Sequence, residues 1–353
     1  MRGKDIFNSS HAFIIAEAGV NHNGHFELAK KLIDSAKEAG VDAVKFQTFK
    51  AENTVSIFAK KAAYQKKGIK KSISQFDLIK ELELSYGSFV KLKKYCDKRK
   101  IMFLSTPFDF ESVDFLENLV PAYKVGSGEI TNLFFLKYIA KKGKPIILST
   151  GMSTLGEIEE AINTILPILN SQYPQLPNKF PPLSLLHCIS NYPADYSEVN
   201  LNAMLTLKEA FKLPTGYSDH TLGIEVPIAA VALGARILEK HFTLNKNLPG
   251  PDHAASLEPN ELKAMVNAIR NIEKSFGDYV KKPTRNELEI SEVTRRSIVA
   301  ARNIKAGEIV NEPDVLIKRP GLGIKPKFRD IIIGMKLTRE IKKDEFFKWE
   351  HFK

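Results

Sequence analysis

Short apolar runs recur along the first 280 residues and alternate with segments of helical periodicity. Eight runs fit this description, namely 13–19, 43–49, 101–108, 122–128, 145–151, 183–189, 215–220 and 236–243. Most are continuously apolar, which is typical of parallel strands that are buried on both faces. Residues 26–39, after the first run, repeat apolar side chains at helical spacing, and Gly40 supplies a stop signal. Eight repeats of strand and helix predict an α/β fold of the TIM (β/α)8 barrel type.

Each apolar run ends in polar side chains, and in a TIM barrel these ends form the face that carries the active site. The polar set is Glu17, Lys45, Gln47, Ser105, Thr106, Lys124, Ser127, Ser149, Thr150, His187, Ser190, Ser218, Asp219, His220, Lys240 and His241. Strand-end caps would explain one or two of these residues, but not residues at the end of every run. Lysines on one rim repel each other, so we expect an anion between them. The strand parity of Lys240 argues that its side chain does not point inward.

Two histidines end neighbouring predicted strands, His220 in the seventh and His241 in the eighth. Their side chains can meet at the rim, and imidazole is a common ligand for first-row metals. Two hydrogen-bonded loop histidines are the alternative that spacing alone leaves open. His22 is a weaker candidate. His187 lies inside an apolar strand, which favours a hydrogen-bonded core histidine.

Ammonium and hydroxyl donors surround the same rim and suit a ligand that carries both a phosphate and a carboxylate. These donors are Lys45, Thr106, Lys124, Ser127, Ser149 and Ser218. The turn 126–128, Gly-Ser-Gly, can also offer backbone N–H groups to an anion. Glu17 ends the first strand, where it is either a general base or the partner of a rim lysine. The sequence alone does not decide between these two roles.

The pattern changes near residue 275, where a polar stretch begins. We interpret residues 1–280 as the barrel domain, 281–293 as a linker and 294–353 as a small second domain. The last segment contains short β-like pieces with glycine turns, too few for another barrel. About sixty residues form only a marginal core, so we expect this domain to rest on something larger.

Composition excludes several classes of protein. The net charge is +11, but the lysine-rich stretch 60–71 lacks the aromatic residues of a nucleic-acid platform, which favours a solvated surface. No apolar run approaches the ~20 residues of a membrane span. Cys96 and Cys188 are the only cysteines, and the first residues lack the apolar core of a signal peptide. We therefore expect a cytoplasmic protein that binds neither nucleic acid nor membrane.

Several motifs together resemble the bacterial sialic acid synthases, which make nine-carbon nonulosonic acids from phosphoenolpyruvate and an N-acylated amino sugar. The motifs are IIAEAGVNHNG, VKFQTFKAENT, FLSTPFD, YKVGSGEITN, IILSTGMS, LLHCISNYPA, GYSDHT, EKHFTL and GPDHAASLEP. They occur in the family's order from about residue 12, and IKRPGLGI resembles the family's antifreeze-like (SAF) domain. The resemblance implies a TIM barrel followed by that domain.

The resemblance also implies a domain-swapped homodimer and a divalent metal, Mn²⁺ or Mg²⁺. His220 and His241 would hold the metal, which would polarise the aldehyde of the open-chain sugar. Glu17 matches a carboxylate that assists the attacking water. Arg319 matches an arginine that reaches the sugar's N-acyl group from the partner chain.

By the same resemblance, phosphoenolpyruvate lies among Lys45, Thr106, Lys124, Ser127, Ser149, Ser190 and Ser218. The sugar contacts are Gln47, Tyr192 and Asp252. Some members have asparagine in place of Ser190, and here Asn191 comes next, so either residue can supply that contact. Asp219 replaces a glycine of the animal enzyme, which takes a phosphorylated sugar, and this favours an unphosphorylated sugar.

The function that we expect is N-acetylneuraminate synthase, a transferase that joins phosphoenolpyruvate to N-acetylmannosamine. The alternative is legionaminic acid synthase, which would use 2,4-diacetamido-2,4,6-trideoxymannose. An apolar contact in place of the partner of the 6-hydroxyl would discriminate the two, but the sequence does not locate it. Pseudaminic acid synthases fit the second and fourth strands less well. The SAF-like tail argues against a seven-carbon sugar-acid synthase. The complete set of polar residues at the rim argues against a non-catalytic sugar-binding protein.

Overall fold

The computed structural model describes residue 6 and residues 11–59, 74–173 and 182–352. The chain divides into two compact units, Met1–Phe276 and Gly277–Lys353. The lysine-rich stretch 60–71 lies outside the described residues. No helix in the described part of the chain is both long and apolar enough to cross a membrane.

The first unit contains a parallel sheet of eight strands within the described residues. The strands are β1 (Phe13–Gly19), β2 (Ala43–Thr48), β3 (Met102–Pro107), β4 (Tyr123–Val125), β5 (Ile146–Ser149), β6 (Leu183–Cys188), β7 (Thr215–Asp219) and β8 (Ile237–His241). They pair in the order β3-β2-β1-β8-β7-β6-β5-β4. The two end strands of this order, β3 and β4, also lie side by side. The predicted barrel is therefore confirmed, and all eight apolar runs form strands.

Helices follow most of the strands and cover the barrel. They are α1 (Phe26–Ala39), α2 (Ala51–Thr54), α3 (Gln75–Leu82), α4 (Tyr86–Arg99), α5 (Phe110–Leu116), α6 (Leu133–Ala140), α7 (Leu155–Gln172), α8 (Asn202–Phe211), α9 (Glu225–Ala232) and α10 (Pro259–Ser275). The apolar residues of α1 are buried, as its periodicity predicts, and Gly40 ends it with a positive φ of 85°. Ser74 begins α3 in a capping box with Asp77.

Strand alternation divides the barrel's apolar residues into two layers. Residues that point outward pack under the helices in the larger core. Residues that point inward fill the bottom of the barrel, and they are Phe13, Ile15, Ala43, Met102, Leu104, Ala122, Ile147, Leu186 and Ile237. The polar residues at the ends of the strands therefore stand on a packed apolar floor.

The second unit has its own small core and begins with α11 (Arg285–Thr294). The strands β9 (Ser297–Ala300) and β10 (Val315–Lys318) pair antiparallel, and α12 (Arg329–Ile332) follows. The stretch interpreted as a linker therefore contains a helix, which Thr284 caps together with Glu287. Sequence patterning missed α11 because the helix buries no apolar stripe within this chain.

Candidate active site

A ring of polar side chains lies above the apolar floor, at the next position along each strand that points inward. The eight strands contribute one residue each, namely Glu17, Lys45, Thr106, Lys124, Ser149, Cys188, Ser218 and Glu239. All eight are buried. Side chains two residues apart in a strand share a face, so each ring residue follows an inward-facing residue of its own strand. This register brings together residues that are far apart in the sequence.

Lys45 forms the central ion pair of the ring. Its Nζ lies 2.6 Å from Oε2 of Glu17 and 3.7 Å from Oε2 of Glu239, and it donates to Thr106 Oγ1 at 3.0 Å. Burial opposes the charge of Lys45, but the two carboxylates together raise its pKa. Burial is the largest cause that raises the pKa of Glu17, and Glu239 adds to it while Lys45 opposes it. Glu17 is thus both the partner of a rim lysine and a carboxylate suited to accept a proton.

Lys124 stands on the other side of Glu239, with 3.4 Å between Nζ and Oε1. It also donates to Ser149 Oγ at 2.7 Å, while Ser218 Oγ donates to Glu239 at 2.9 Å. Burial lowers the pKa of Lys124. Although burial opposes ionisation of Glu239, the two lysines hold the pKa of this carboxyl below its usual range.

The argument from lysine repulsion is therefore wrong. Glu239 lies between Lys45 and Lys124, so these two cations do not need a bound anion to offset their repulsion. The third lysine, Lys240, points out of the ring, as its strand parity predicts. Its ammonium forms a fully buried ion pair with Asp219 and donates to the carbonyl of Thr221.

Asp219 consequently has a structural role on the outer face of the barrel. Thr221 Oγ1 and backbone N–H both donate to its carboxylate, and the carboxylate faces Lys240 from the adjacent strand. The side chain does not line the barrel mouth, so Asp219 carries no direct information about a phosphate on the sugar. The pair immediately precedes His220 in one strand and His241 in the other.

Small hydroxyl groups converge beyond the ring at the ends of β4, β5 and β6. The backbone N–H of Gly151 donates to Ser127 Oγ at 2.9 Å, and Ser127 Oγ lies 3.1 Å from Cys188 Sγ. A Cβ atom at position 151 would lie 2.4 Å from Ser190 Oγ. Ser190 thus points at this cluster and lines the cavity, whereas Asn191 is exposed and accepts from the N–H of Tyr192.

The two rim histidines lie close together, with 5.4 Å between ring centroids. The backbone carbonyl of Ile189 lies 2.5 Å from Nδ1 of His220 and can only accept, so Nδ1 carries the proton. The lone pair of a neutral His220 then lies on Nε2, as a metal ligand requires. Burial lowers the pKa of His220 to about 4, and it holds the pKa of His241 well below its usual value.

His241 and Asp252 complete this part of the mouth. Nδ1 of His241 is buried without a hydrogen bond among the described residues, and it lies 3.7 Å from Asp252 Oδ2. Burial raises the pKa of Asp252 to about 6. Two neutral imidazoles, one with an unpaired buried nitrogen, fit a divalent cation. Among the described residues no group of three or more side chains completes a protein-only metal site, so solvent or substrate would fill the remaining positions.

The predicted sugar contacts divide between the two units. Gln47 donates to Glu17 at 3.1 Å, and the ring of Tyr192 lies 4.1 Å from that of His220. These two residues and Asp252 line one cavity of about 280 Å³ at the barrel mouth. Arg319 belongs to the second unit, where its side chain is exposed.

The remaining histidine candidates lie outside the cavity. His187 Nε2 lies 2.8 Å from the Val199 carbonyl, which is the core role that its strand position favours. His22 accepts from the N–H of Gly24, and burial lowers its pKa to about 3.

Sequence reasoning missed two members of the polar ring, Glu239 and Cys188. Glu239 lies two positions before His241, and Cys188 lies two positions before Ser190. Residues two positions apart in a strand point to the same side, so both residues face inward like the rim residues that the sequence predicts. The parity argument that was applied to Lys240 would have found them.

An apolar wall, also not located from sequence, closes one side of the cavity. Its residues are Val20, Phe49, Leu78, Ile79, Leu82 and Phe108, which pack together in one cluster. Three of them follow the ends of β1, β2 and β3, and the other three lie on α3.

A barrel whose mouth combines paired lysines, buried carboxylates, clustered hydroxyls and two neutral histidines has the side chains of a TIM-barrel enzyme's active site. The NeuB family matches residues 32–281, and the SAF domain matches residues 295–353. The chain belongs to the NeuB family, and the expected class of enzyme, a nonulosonic acid synthase, is confirmed.

Three similar proteins indicate where the chain stands within this class. N,N'-diacetyllegionaminic acid synthase of Campylobacter jejuni is 51% identical over 95% of this chain and 98% of that protein. The enzyme of the same name from Legionella pneumophila is 47% identical over 98% of this chain and 95% of its own. The crystal structure of N-acetylneuraminic acid (sialic acid) synthetase from Leptospira borgpetersenii, in complex with citrate, is 37% identical, with a TM-score of 0.67 over 79% of this chain and 90% of that one.

Proposed function

We propose that this chain is an N,N'-diacetyllegionaminic acid synthase that joins phosphoenolpyruvate to 2,4-diacetamido-2,4,6-trideoxymannose. The observation that carries the proposal is the polar ring together with the two rim histidines, His220 and His241. The chain that carries them is 51% and 47% identical to two enzymes of that name. The sialic acid synthetase is less similar, at 37% identity. The similarity therefore favours the alternative over N-acetylneuraminate synthase, the function first expected from the sequence.

In this proposal phosphoenolpyruvate binds over the polar ring, with its phosphate at the β4–β6 side of the mouth. Lys124 and Lys45 attract its charges, and the hydroxyls of Ser127, Ser149, Ser190, Ser218 and Thr106 donate to its oxygens. The cluster of Ser127, Ser190 and the Gly151 backbone supports this assignment, because it offers several small donors at one point.

His220 and His241 would hold Mn²⁺ or Mg²⁺, which would supply Lewis-acid polarisation of the sugar aldehyde. Their neutral rings and the unpaired nitrogen of His241 support this role. Asp252, Tyr192 and Gln47 line the same cavity and would hold the sugar chain beside phosphoenolpyruvate.

The chain's own residues then position two bond-forming events. The C3 carbon of phosphoenolpyruvate attacks the aldehyde carbon, and a cationic centre develops at C2. Water adds to C2 while Glu17 accepts its proton, which the raised pKa of Glu17 favours. The bond between C2 and the phosphate oxygen then breaks, the phosphate leaves with that electron pair, and the new hydroxyl at C2 loses its proton to the phosphate and becomes the ketone. The former aldehyde oxygen, which received the electron pair of its C=O bond, takes up the proton that Glu17 accepted and becomes a hydroxyl.

We further propose that two chains form a domain-swapped dimer in which Arg319 reaches the partner's sugar. Apolar side chains that stay exposed on the second unit support a partner, among them Leu316, Leu322 and Trp349.

The deciding experiment measures phosphate release from phosphoenolpyruvate with Mn²⁺ and each of the two sugars. Preference for the diacetamido-trideoxy sugar is the expected result. Preference for N-acetylmannosamine would return the chain to sialic acid synthesis. Absence of release with both sugars would contradict the proposed function.

A further inference from the structure

We propose that the apolar wall of the cavity selects the sugar by the end of the sugar that is far from the aldehyde. The wall accepts a methyl group at C6 and an acetamido group at C4 in place of hydroxyl groups. This inference rests on the proposed function, because it assigns the specificity of the same site. It makes Val20, Ile79 and Phe108 specificity-determining residues.

The order of the strands divides the barrel mouth into three sectors. The hydroxyl cluster ends β4, β5 and β6, the histidines end β7 and β8, and the apolar wall follows β1, β2 and β3. If the aldehyde lies at the histidines and phosphoenolpyruvate lies over the polar ring and the β4–β6 sector, the space above the ring on the β1–β3 side remains for the rest of the sugar chain. The far end of the sugar therefore meets the wall.

The wall is packed, and it leaves few polar partners in the part of the chain that the structure describes. Phe49 and Phe108 meet edge to face with 6.3 Å between centroids, and Leu78 and Leu82 of α3 are buried behind them. Thr54, which also lines the cavity, already donates its hydroxyl to the carbonyl of Lys50.

Among the described residues, Gln47 supplies the remaining polar group at the wall. Its amide nitrogen donates to Glu17, while its amide oxygen has no hydrogen bond among the described residues. The 4-acetamido group of the sugar has one N–H that needs an acceptor, and the amide oxygen of Gln47 can serve as one. The methyl groups of the sugar can contact the apolar side chains. Hydroxyl groups at C4 and C6 would lose their hydrogen bonds to water and would have to share one acceptor, which is unfavourable.

The sharpest test changes one group of the substrate and leaves the protein intact. N-acetylmannosamine and its 6-deoxy analogue differ only in the hydroxyl at C6, and phosphate release reports kcat/KM for each. We expect the 6-deoxy analogue to be better by about 10-fold, and the full diacetamido-trideoxy sugar to exceed N-acetylmannosamine by about 100-fold. Equal values for N-acetylmannosamine and its 6-deoxy analogue would overturn the inference, as would a preference for N-acetylmannosamine.

Matched variants then assign the effect to the wall. Ile79→Thr and Ile79→Val have nearly the same shape, but only the first adds a hydroxyl, and Val20→Thr adds one on the β1 side. We expect both threonine variants to lower the preference for the 6-deoxy analogue by about 5- to 10-fold, while Ile79→Val changes it by less than about twofold. An unchanged preference in both threonine variants would remove the wall from sugar selection.

The KM for phosphoenolpyruvate separates these outcomes from damage to the fold, since neither Ile79 nor Val20 is among the proposed phosphoenolpyruvate contacts. It should stay within about twofold in all three variants. Failure of the proposed function looks different, because the unaltered enzyme would then release no phosphate with any of the sugars.

Discussion

At the scale of single residues, the burial of His241 suits the role of metal ligand that we propose for it. Burial keeps its ring neutral, and Nδ1 has no hydrogen bond among the described residues. His241→Ala should abolish turnover without unfolding the chain, and calorimetric titration should show Mn²⁺ affinity reduced by at least ~100-fold. His187→Gln is the matched control, since His187 bonds a carbonyl outside the cavity and should leave turnover within a few-fold. Full activity of the unaltered enzyme in chelator-treated buffer would contradict the metal assignment.

The ion pair of Asp219 and Lys240 is a second feature at this scale. Both side chains are fully buried, and each directly precedes a rim histidine. Asp219→Asn leaves an unpaired buried ammonium and should reduce the free energy of unfolding by about 3–5 kcal/mol in urea denaturation followed by circular dichroism. The double variant with Lys240→Met removes both charges and should recover most of that loss.

Asp278→Asn provides the surface comparison for this prediction, because its pair with Lys282 is exposed on both sides. Its effect on the free energy of unfolding should be much smaller than that of Asp219→Asn. An Asp219→Asn protein as stable as the Asp278→Asn protein would show that the buried pair contributes little.

Individual residues also show what the sequence could and could not predict. The cavity lining contains all six donors predicted for the phosphate and carboxylate, because strand ends and period-two alternation are visible in the sequence. Glu239 was visible by the same rule and was missed. The partnership of Lys240 with Asp219 depends on which strands are neighbours, and the position of the apolar wall depends on how α3 packs, so neither follows from local patterns.

At the scale of elements, continuous apolar runs predict every barrel strand, whereas α11 lies almost entirely in the stretch interpreted as a linker. Its capping box at Thr284 and Glu287 was a usable signal, but Leu288, Ile290 and Val293 are all exposed in this chain. A helix without a buried face within its own chain gives no amphipathic contrast to recognise.

The loop after β5 carries the next prediction, because Gly151 leaves room for three side chains. A Cβ atom there would lie 2.4 Å from Ser190 Oγ, 2.9 Å from Cys188 Sγ and 3.0 Å from Ser127 Oγ. Gly151→Ala should displace these groups and raise the KM for phosphoenolpyruvate by about 10-fold or more, with a smaller effect on the KM for the sugar.

Gly156→Ala is the control, since only Thr154 Oγ1 lies within 4.0 Å of the added carbon. Initial rates at varied phosphoenolpyruvate concentrations would separate the two variants. Equal KM values for both would mean that the hydroxyl cluster does not bind the phosphate.

At the scale of the whole molecule, the second unit shows more apolar surface than a small domain needs. Exposed side chains there are Leu288, Ile290, Val293, Ile309, Leu316, Ile317, Leu322, Ile331 and Trp349. Such surface is typical of an interface, and a second copy of the chain would cover it in the domain-swapped dimer that we propose. Arg319 lies on this unit and is exposed, as a residue that reaches another chain must be.

Complementation between inactive chains tests that arrangement directly. In a domain-swapped dimer, a Glu17→Ala chain and an Arg319→Ala chain combine into one intact site and one doubly altered site. Coexpression with random pairing should therefore restore about a quarter of the unaltered activity at low sugar concentration, where Arg319→Ala alone is nearly inactive because its KM for the sugar is raised. If each site used Glu17 and Arg319 of the same chain, every mixed dimer would contain two damaged sites and activity would stay at the level of the separate variants.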